Sequence, residues 1–492
     1  MRRWSLSLAL LLGACRSPPR HESVTVLLND DILSLDPNQE VEQVTDLVLS
    51  NVYEPLITVD GDMQPRLGLA ESWEHPEPER WRFELRKGVH FQDGTPLTAE
   101  AVRDALLALK GNPELEAAQY LMQVREITAS SENSLDLVTD KPTALLASLP
   151  FLYVSKKNAA GAFPPLVGTG PYRVREWGKG QQVVLETWDG YWGPRPALRQ
   201  ASFVPIKDPE ARIERLRAGS ADLVYDVAPH LTRTAIPGVR FARRSSVSVI
   251  YIGFALGPAQ AKSPFSDVRV RRAIHLGVDR KKLLSEGLLG LGSVATQAVA
   301  PLVYGFDPNL PDPAHDPETA RRLLKDAGHA AGLSARLDLA LRWQPMAEAL
   351  RDDLSQIGVK LTLNTLERRA FYDLGESGKS QLWLTGWDCS SGEASELYEV
   401  VLHTPREHYG MANYGGYSNP RIDAIADTNA TILDPLARRR ALQDAARIVL
   451  EDLPLVPLLV PDVIFGVREG LEFPPRADGE VRLADVRWRQ GS

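Results

Sequence analysis

Trp81, Phe83 and Leu85 alternate with Arg82, Glu84 and Arg86. A period of two predicts a strand with one buried and one wet face. Asp93-Gly94 then marks a tight turn. Thr98 is placed to cap a helix with Val102, Ala105, Leu106 and Leu109 on one stripe. Val24 to Leu28 reads as a first strand, Val183-Val184-Leu185 as a later one, and Trp188 to Pro196 as turn-rich. In the later half the period lengthens. Ser266 is expected to cap a helix carrying Val270, Ala273, Ile274 and Gly277 on one face. Asp316-Pro317-Glu318 opens the next, with proline at the first helical position. Its stripe is Ala320, Leu323, Leu324 and Ala327, and Gly328 stops it. Leu350, Leu354 and Ile357 mark a third helix ended by Gly358, and a fourth runs from about Pro435 to Glu451. Short strands interleaved with helices predict α/β domains. Neither a repeat nor a low-complexity linker marks a boundary.

The N-terminus follows a different rule. Arg2 and Arg3 precede an apolar run from Trp4 to Leu12, then Gly13-Ala14-Cys15. Charge, apolar run and small residues read as a secretory signal peptide. The run is far below the roughly 20 residues needed to span a bilayer. Small residues leading into a cysteine resemble the bacterial lipobox, which implies that Cys15 is lipidated and begins the mature chain. Several acyl chains on one residue hold it stably at a membrane. Arg16 to Glu22, with Pro18-Pro19, reads as a tether. Later in the chain the strongest apolar run, Leu453 to Val460, is short and interrupted by Pro454 and Pro457.

A length of 492 residues predicts several domains, and a net charge of −8 argues against a nucleic-acid partner. There are two cysteines. With Cys15 lipidated, Cys389 has no partner and reads as a buried, inert thiol. The sequence holds no HExxH, GxSxG, P-loop or CxxC pattern. Gly287 to Gly292 has the wrong spacing for a dinucleotide site. In Gly168-Thr169-Gly170-Pro171 the proline removes a donor that a phosphate cradle needs, so a turn before a strand at Tyr172 is expected. His403 and His408 are close enough to share a metal but read as surface-loop residues. Arg438-Arg439-Arg440 reads as a solvated helix face. Trp383, Trp387 and Tyr398, with Tyr409, Tyr414 and Tyr417, could wall a ligand cleft.

Several motifs in fixed order then carry a resemblance. They are Leu35-Asp36-Pro37, Asn51-Val52-Tyr53-Glu54-Pro55-Leu56, Leu69-Ala70-Glu71-Ser72-Trp73 and Trp81 to Phe91 with Asp93-Gly94-Thr95-Pro96-Leu97-Thr98-Ala99. Gly168 to Tyr172, Asp267 to Ile274, Val278-Asp279-Arg280 and Tyr417 to Asp423 follow. From about Val24 to Val467 the chain resembles the extracellular solute-binding proteins of ABC importers, in the dipeptide, oligopeptide and nickel-binding family (family 5). The resemblance implies a type II periplasmic-binding-protein-like α/β fold, with two hinged lobes and an inserted third domain. Residues 1–14 would be the signal peptide and 15–22 the lipidated tether. Lobe one would combine 21–50, 165–250 and 462–492, the inserted domain would be 51–164, and lobe two 251–461. It implies a monomer that needs no cofactor, no resident metal and no catalysis. Such a protein is lipid-anchored at the periplasmic or cell-surface side of a bacterial membrane. It passes a solute, foremost a peptide, to ABC permease subunits. Oligosaccharide, nickel chelate and haem are the other ligand classes, and a secreted enzyme is the reading from outside the family.

Peptide-binding relatives carry Gly-Trp, two variable residues and an aspartate for the peptide ammonium. Here the segment is Gly386-Trp387-Asp388-Cys389-Ser390, so serine stands in the aspartate's place. Asp388 and Glu393 are the nearby carboxylates that could replace it. The ligand-binding residues implied are Trp387, Asp388, Ser390, Trp383, Asn413, Tyr414 and Tyr251.

Overall fold

The computed structural model describes residues 20–39, 42–159, 161–406 and 408–489. The segment expected to be a signal peptide, and Cys15, lie outside the described residues. Twelve strands form one large sheet. They are β1 (Ser23–Leu28), β2 (Tyr172–Gly178), β3 (Gln182–Thr187), β4 (Gln200–Pro205), β5 (Leu223–Val224), β6 (Val239–Ser245), β7 (Ser248–Phe254), β8 (Gly292–Val294), β9 (Leu333–Ala340), β10 (Val359–Leu366), β11 (Leu382–Asp388) and β12 (Leu455–Arg468). Their order is β2-β3-β4-β1-β5-β12-β7-β11-β9-β10, with β6 and β8 also on β12.

β12 decides the architecture. Its first half pairs with β7 and β8, and its second half pairs with β5 and β6. Phe465 and Val467 therefore enter one hydrophobic core, with Val26, Tyr172 and Phe203. Val456, Leu458 and Leu459 enter another, with Ile252, Ile274, Leu339 and Leu350. The changeover falls at Pro461, whose carbonyl accepts from Ser246 N at 3.1 Å and Ser246 Oγ at 2.7 Å. Proline has no N–H for the ladder, so it suits a point where pairing changes partner. The β6–β7 link at Ser246 is the second strand crossing beside it. Leu453 to Val460 thus belongs largely to this buried strand, and among the described residues no helix is long and apolar enough to cross a membrane.

A separate four-stranded sheet of Ala70–Glu77, Arg80–Leu85, Val124–Ala129 and Ser134–Thr139 packs on the helix Ala99–Lys110. Its Arg80–Leu85 strand has the alternation that the sequence predicts. Trp81, Phe83 and Leu85 are buried, while Arg80 and Arg82 both pair with Asp136 on the other face. The caps at Thr98 and Asp316 form as expected. The helix Val268–Gly277 is capped by Asp267 and not by Ser266. Asp267 Oδ1 accepts from Arg269 N at 2.8 Å, whereas the Ser266 hydroxyl donates to Ser263 O at 2.7 Å. A carboxylate also suits the positive end of the helix dipole better than a hydroxyl.

Candidate functional site

In open α/β sheets, ligands gather outside the carboxyl ends of parallel strands. β1, β4 and β5 are parallel, and their carboxyl ends lead to Asn29–Asp31, Ile206–Asp208 and Tyr225–Asp226. β9, β10 and β11 are also parallel, and lead to Leu341–Trp343, Glu367 and Cys389–Ser391. The two edges face each other. Burial pushes the Tyr225 hydroxyl up, the charges of Asp226 and Asp388 add to this, and Arg342 opposes it. Asp226, beside the buried Tyr225, thus lies on one wall, and Asp388 and Arg342 on the other. Arg342 is exposed, stacks 4.4 Å above the Trp343 ring, and has no ion pair among the described residues. Asn29 Nδ2 donates to Asp226 Oδ2 at 2.7 Å, while its buried Oδ1 has no partner among the described residues.

The segment after β11 brings in a carboxylate that the sequence reading missed. Ser391 N donates to Glu396 Oε2 at 2.9 Å, and Ser390 Oγ donates to Glu396 Oε1 at 3.3 Å. Burial pushes Glu396 up to about 7; the Ser391 and Ser390 bonds oppose this and the Asp388 charge adds to it. Across from it, burial raises the Tyr120 hydroxyl, and the charges of Glu396 and Asp46 raise it further. Glu396, Tyr120 of the four-stranded unit and Asp46 of the helix Gln43–Leu49 therefore converge. Asp46 is itself pushed up to about 6 by burial, against the Tyr153 hydroxyl and Arg482. Neither carboxyl has an ion-pair partner among the described residues.

The predicted residues divide into two groups. Asp388 and Ser390 are exposed at the end of β11, and Trp387 is half-buried there. Trp383 and Tyr251 are 7 % and 6 % exposed and belong to the interior of their half. The Trp383 ring lies flat on Gly253, where an added Cβ would stand 2.3 Å from it. Asn413 is committed to its own loop. Its Nδ2 donates to His403 O at 2.7 Å and Tyr417 O at 2.8 Å, and its Oδ1 accepts from Tyr417 N at 3.0 Å. Tyr414 is half-buried beside Trp383 and Trp343. A void of about 20 Å³ remains among Tyr251, Gly253, Trp383 and Tyr414, room for one water. A larger cavity of about 210 Å³ lies elsewhere, between Ser50–Val59, Tyr191, Arg476 and Arg482. Both arginines there already pair with acids, Asp478 and Glu480 respectively.

Two surface readings hold only in part: His408, Arg439 and Arg440 are exposed, whereas His403 and Arg438 turn inward. His403 is 1 % exposed, and its ring bonds Thr404 O at 2.6 Å and Asp427 at 3.3 Å. Among the described residues no group of three or more His, Cys, Asp or Glu is placed to hold a metal. Arg438 is only partly exposed and pairs with Glu393, which also accepts from Asn429 Nδ2 at 3.3 Å. Glu393 is thereby occupied and does not replace the missing aspartate. Cys389 is buried, and burial, with the Glu396 and Asp388 charges, pushes its thiol up. A protonated thiol is a poor nucleophile.

Residues 64–408 match the family model of bacterial extracellular solute-binding proteins, family 5 Middle. The glutathione-binding protein GsiB of Salmonella paratyphi A is 25% identical over 486 residues, spanning 94% of each chain. The periplasmic binding protein DppA of Helicobacter pylori, solved with the peptide STSA, superposes with a TM-score of 0.79 at 20% identity, over 95% of this chain and 98% of its own. NikA of Staphylococcus aureus, solved with Ni(L-His)2, gives 0.76 at 18% identity, over 95% and 100%. The sheet bridged by β12, the separate four-stranded unit and these matches together give a type II periplasmic-binding-protein fold of two hinged lobes and an inserted domain. The chain belongs to the bacterial extracellular solute-binding proteins of family 5, and it is a binding protein, not an enzyme.

Proposed function

We propose that the protein captures a solute with a free amino group, foremost a peptide, between its lobes and presents it to an ABC permease. Glu396 carries this reading. Peptide-binding relatives place an aspartate at the position of Ser390, and here the Ser390 hydroxyl holds the Glu396 carboxylate instead. A ligand ammonium would supply the missing counter-charge, and a buried carboxylate left unpaired is costly. Arg342, stacked and without an ion pair, is suited to a ligand carboxylate. Asp226, Asp388 and Trp387 complete the lining, while Tyr225, Tyr414, Trp383 and Tyr251 support it from behind. The names of glutathione-binding GsiB and peptide-bound DppA favour the same ligand class. Lobe closure would bury the solute and create the shape a permease reads. The lipobox at Cys15 supports a membrane tether on the outer side.

Calorimetry with glutathione, a free tripeptide and its N-acetylated form tests the proposal. Free-amine ligands are expected to bind the wild type at least tenfold more tightly than the acetylated form. Glu396→Gln is expected to erase that difference, because removing one partner of a buried charge pair costs several kcal/mol. Equal affinity of Glu396→Gln and wild type for the free tripeptide overturns the role of Glu396. Native mass spectrometry that finds a bound sugar, metal chelate or haem replaces the ligand class.

A further inference from the structure

The hairpin Ile57–Val59/Pro65–Leu67 ends in a rigid tip. Asp60 accepts from Asp62 N at 2.9 Å, Gln64 N at 3.0 Å and Arg66 Nε at 2.9 Å. The tip is tied to the C-terminal segment. Arg476 Nη2 donates to Val59 O at 3.0 Å and Asp60 O at 3.2 Å, and Ala477 N donates to Gly61 O at 3.2 Å. Its outermost side chain belongs to the opposite side of the molecule. Met63 is 3 % exposed and packs in a core built from Val249, Cys389, Ala394, Leu397 and Tyr398. It does so at φ +61°, the left-handed conformation taken by the residue that closes a hairpin turn, here with Met63 N donating to Asp60 O at 3.0 Å. The seat is Gly392, where an added Cβ would lie 3.1 Å from both Met63 Cβ and Met63 O. Asp62 beside it pairs with Arg244 at the end of β6.

A knob from one unit thus fills a hole in another, next to Ser390, Ser391 and Glu396. We propose that Met63 is a latch: it seats on Gly392 only when the cleft is shut, and so sets the open–closed balance. This rests on the lobe-closure reading above and adds a residue remote from the ligand. Anything that binds the closed state better shifts the population toward it, whether a ligand or a built-in contact. Burying a methionine side chain is worth enough to move such a balance by tenfold or more.

The four described methionines supply the test. Met411 and Met122 are 68% and 43% exposed, and Met346 is 1% exposed in the core of one lobe. Hydrogen peroxide converts accessible methionine to sulfoxide. In the ligand-free protein, mass spectrometry is expected to find Met63 oxidised far faster than Met346 and more slowly than Met411. In parallel, dyes on Lys207→Cys and Arg369→Cys, at the two cleft rims, report opening by single-molecule energy transfer. Met63→Ala, and separately Gly392→Ala, are expected to raise the open-to-closed ratio at least tenfold. Opening with Met63 as protected as Met346 overturns the latch while sparing lobe closure. An unchanged ratio in both variants overturns it too. Rims that never separate overturn lobe closure and the latch together.

Discussion

Glu393 and Glu396 lie one turn apart, yet they face different regions. Glu393 points into the interior of its lobe, where Arg438 and Asn429 meet it. Glu396 turns toward the segment after β11, where it meets two serines, a tyrosine and another carboxyl, and no cation among the described residues. Both are raised by burial, and among the described residues only the first has its counter-charge built in. The difference shows how one short segment can hold the fold on one side and, on the other, present a carboxylate met by hydroxyls and an amide.

Removing the interior partner should have the largest effect. Arg438→Met strands Glu393 and is expected to destabilise the protein by about 3–5 kcal/mol, read as a lower denaturant midpoint. Adding Glu393→Gln should recover part of that loss; no recovery would mean that Arg438 acts through packing alone. Next comes a pH contrast on the cleft side. With Glu396 at about 7, above the ordinary range near 4.5, its contribution to stability is full below that range and fades as pH rises through 7. Glu399, at about 8, and Glu480, at about 7, act with the same sign. Thermal melts from pH 5 to 9 should show wild-type stability falling toward pH 9, with a shallower fall in Glu396→Gln. Parallel curves would break the contrast. Gly253→Ala drives a methyl into the Trp383 ring and should cost about 1–3 kcal/mol, measured by the same melts. The smallest effect belongs to the exposed rim. Asp388→Asn should move stability by less than about 0.5 kcal/mol, and a change in peptide affinity would show that it, too, touches ligand.

What the sequence made legible was local or motif-bound. The Trp81 alternation, the Thr98 and Asp316 caps and the stop at Gly358 each depend on a few adjacent residues. The family motifs extended that reading to the whole fold. The site was legible only in part, because its chemistry comes from distant chain. Nothing near Ser390 says that its hydroxyl meets Glu396, since only the fold of the intervening turn brings them together. Arg342 and Trp343 were missed because their importance comes from the parallel run of β9 beside β11. His403 and Arg438 looked wet because their acids, Asp427 and Glu393, stand elsewhere in sequence. Trp383 and Tyr251 looked like cleft walls because aromatic clustering alone does not tell which face of a strand is covered.

The placement of β12 has a consequence for biogenesis. Residues 455–468 follow every other strand of the large sheet in the chain, and they hydrogen-bond into both halves of it. Domains ordinarily fold as they emerge, N-terminal first. Here neither half can complete its sheet until β12 has been made, so the nascent polypeptide stays without finished lobes while the eleven strands before it emerge. Such a delay keeps a chain threadable, which is the state that passage through a narrow export channel requires.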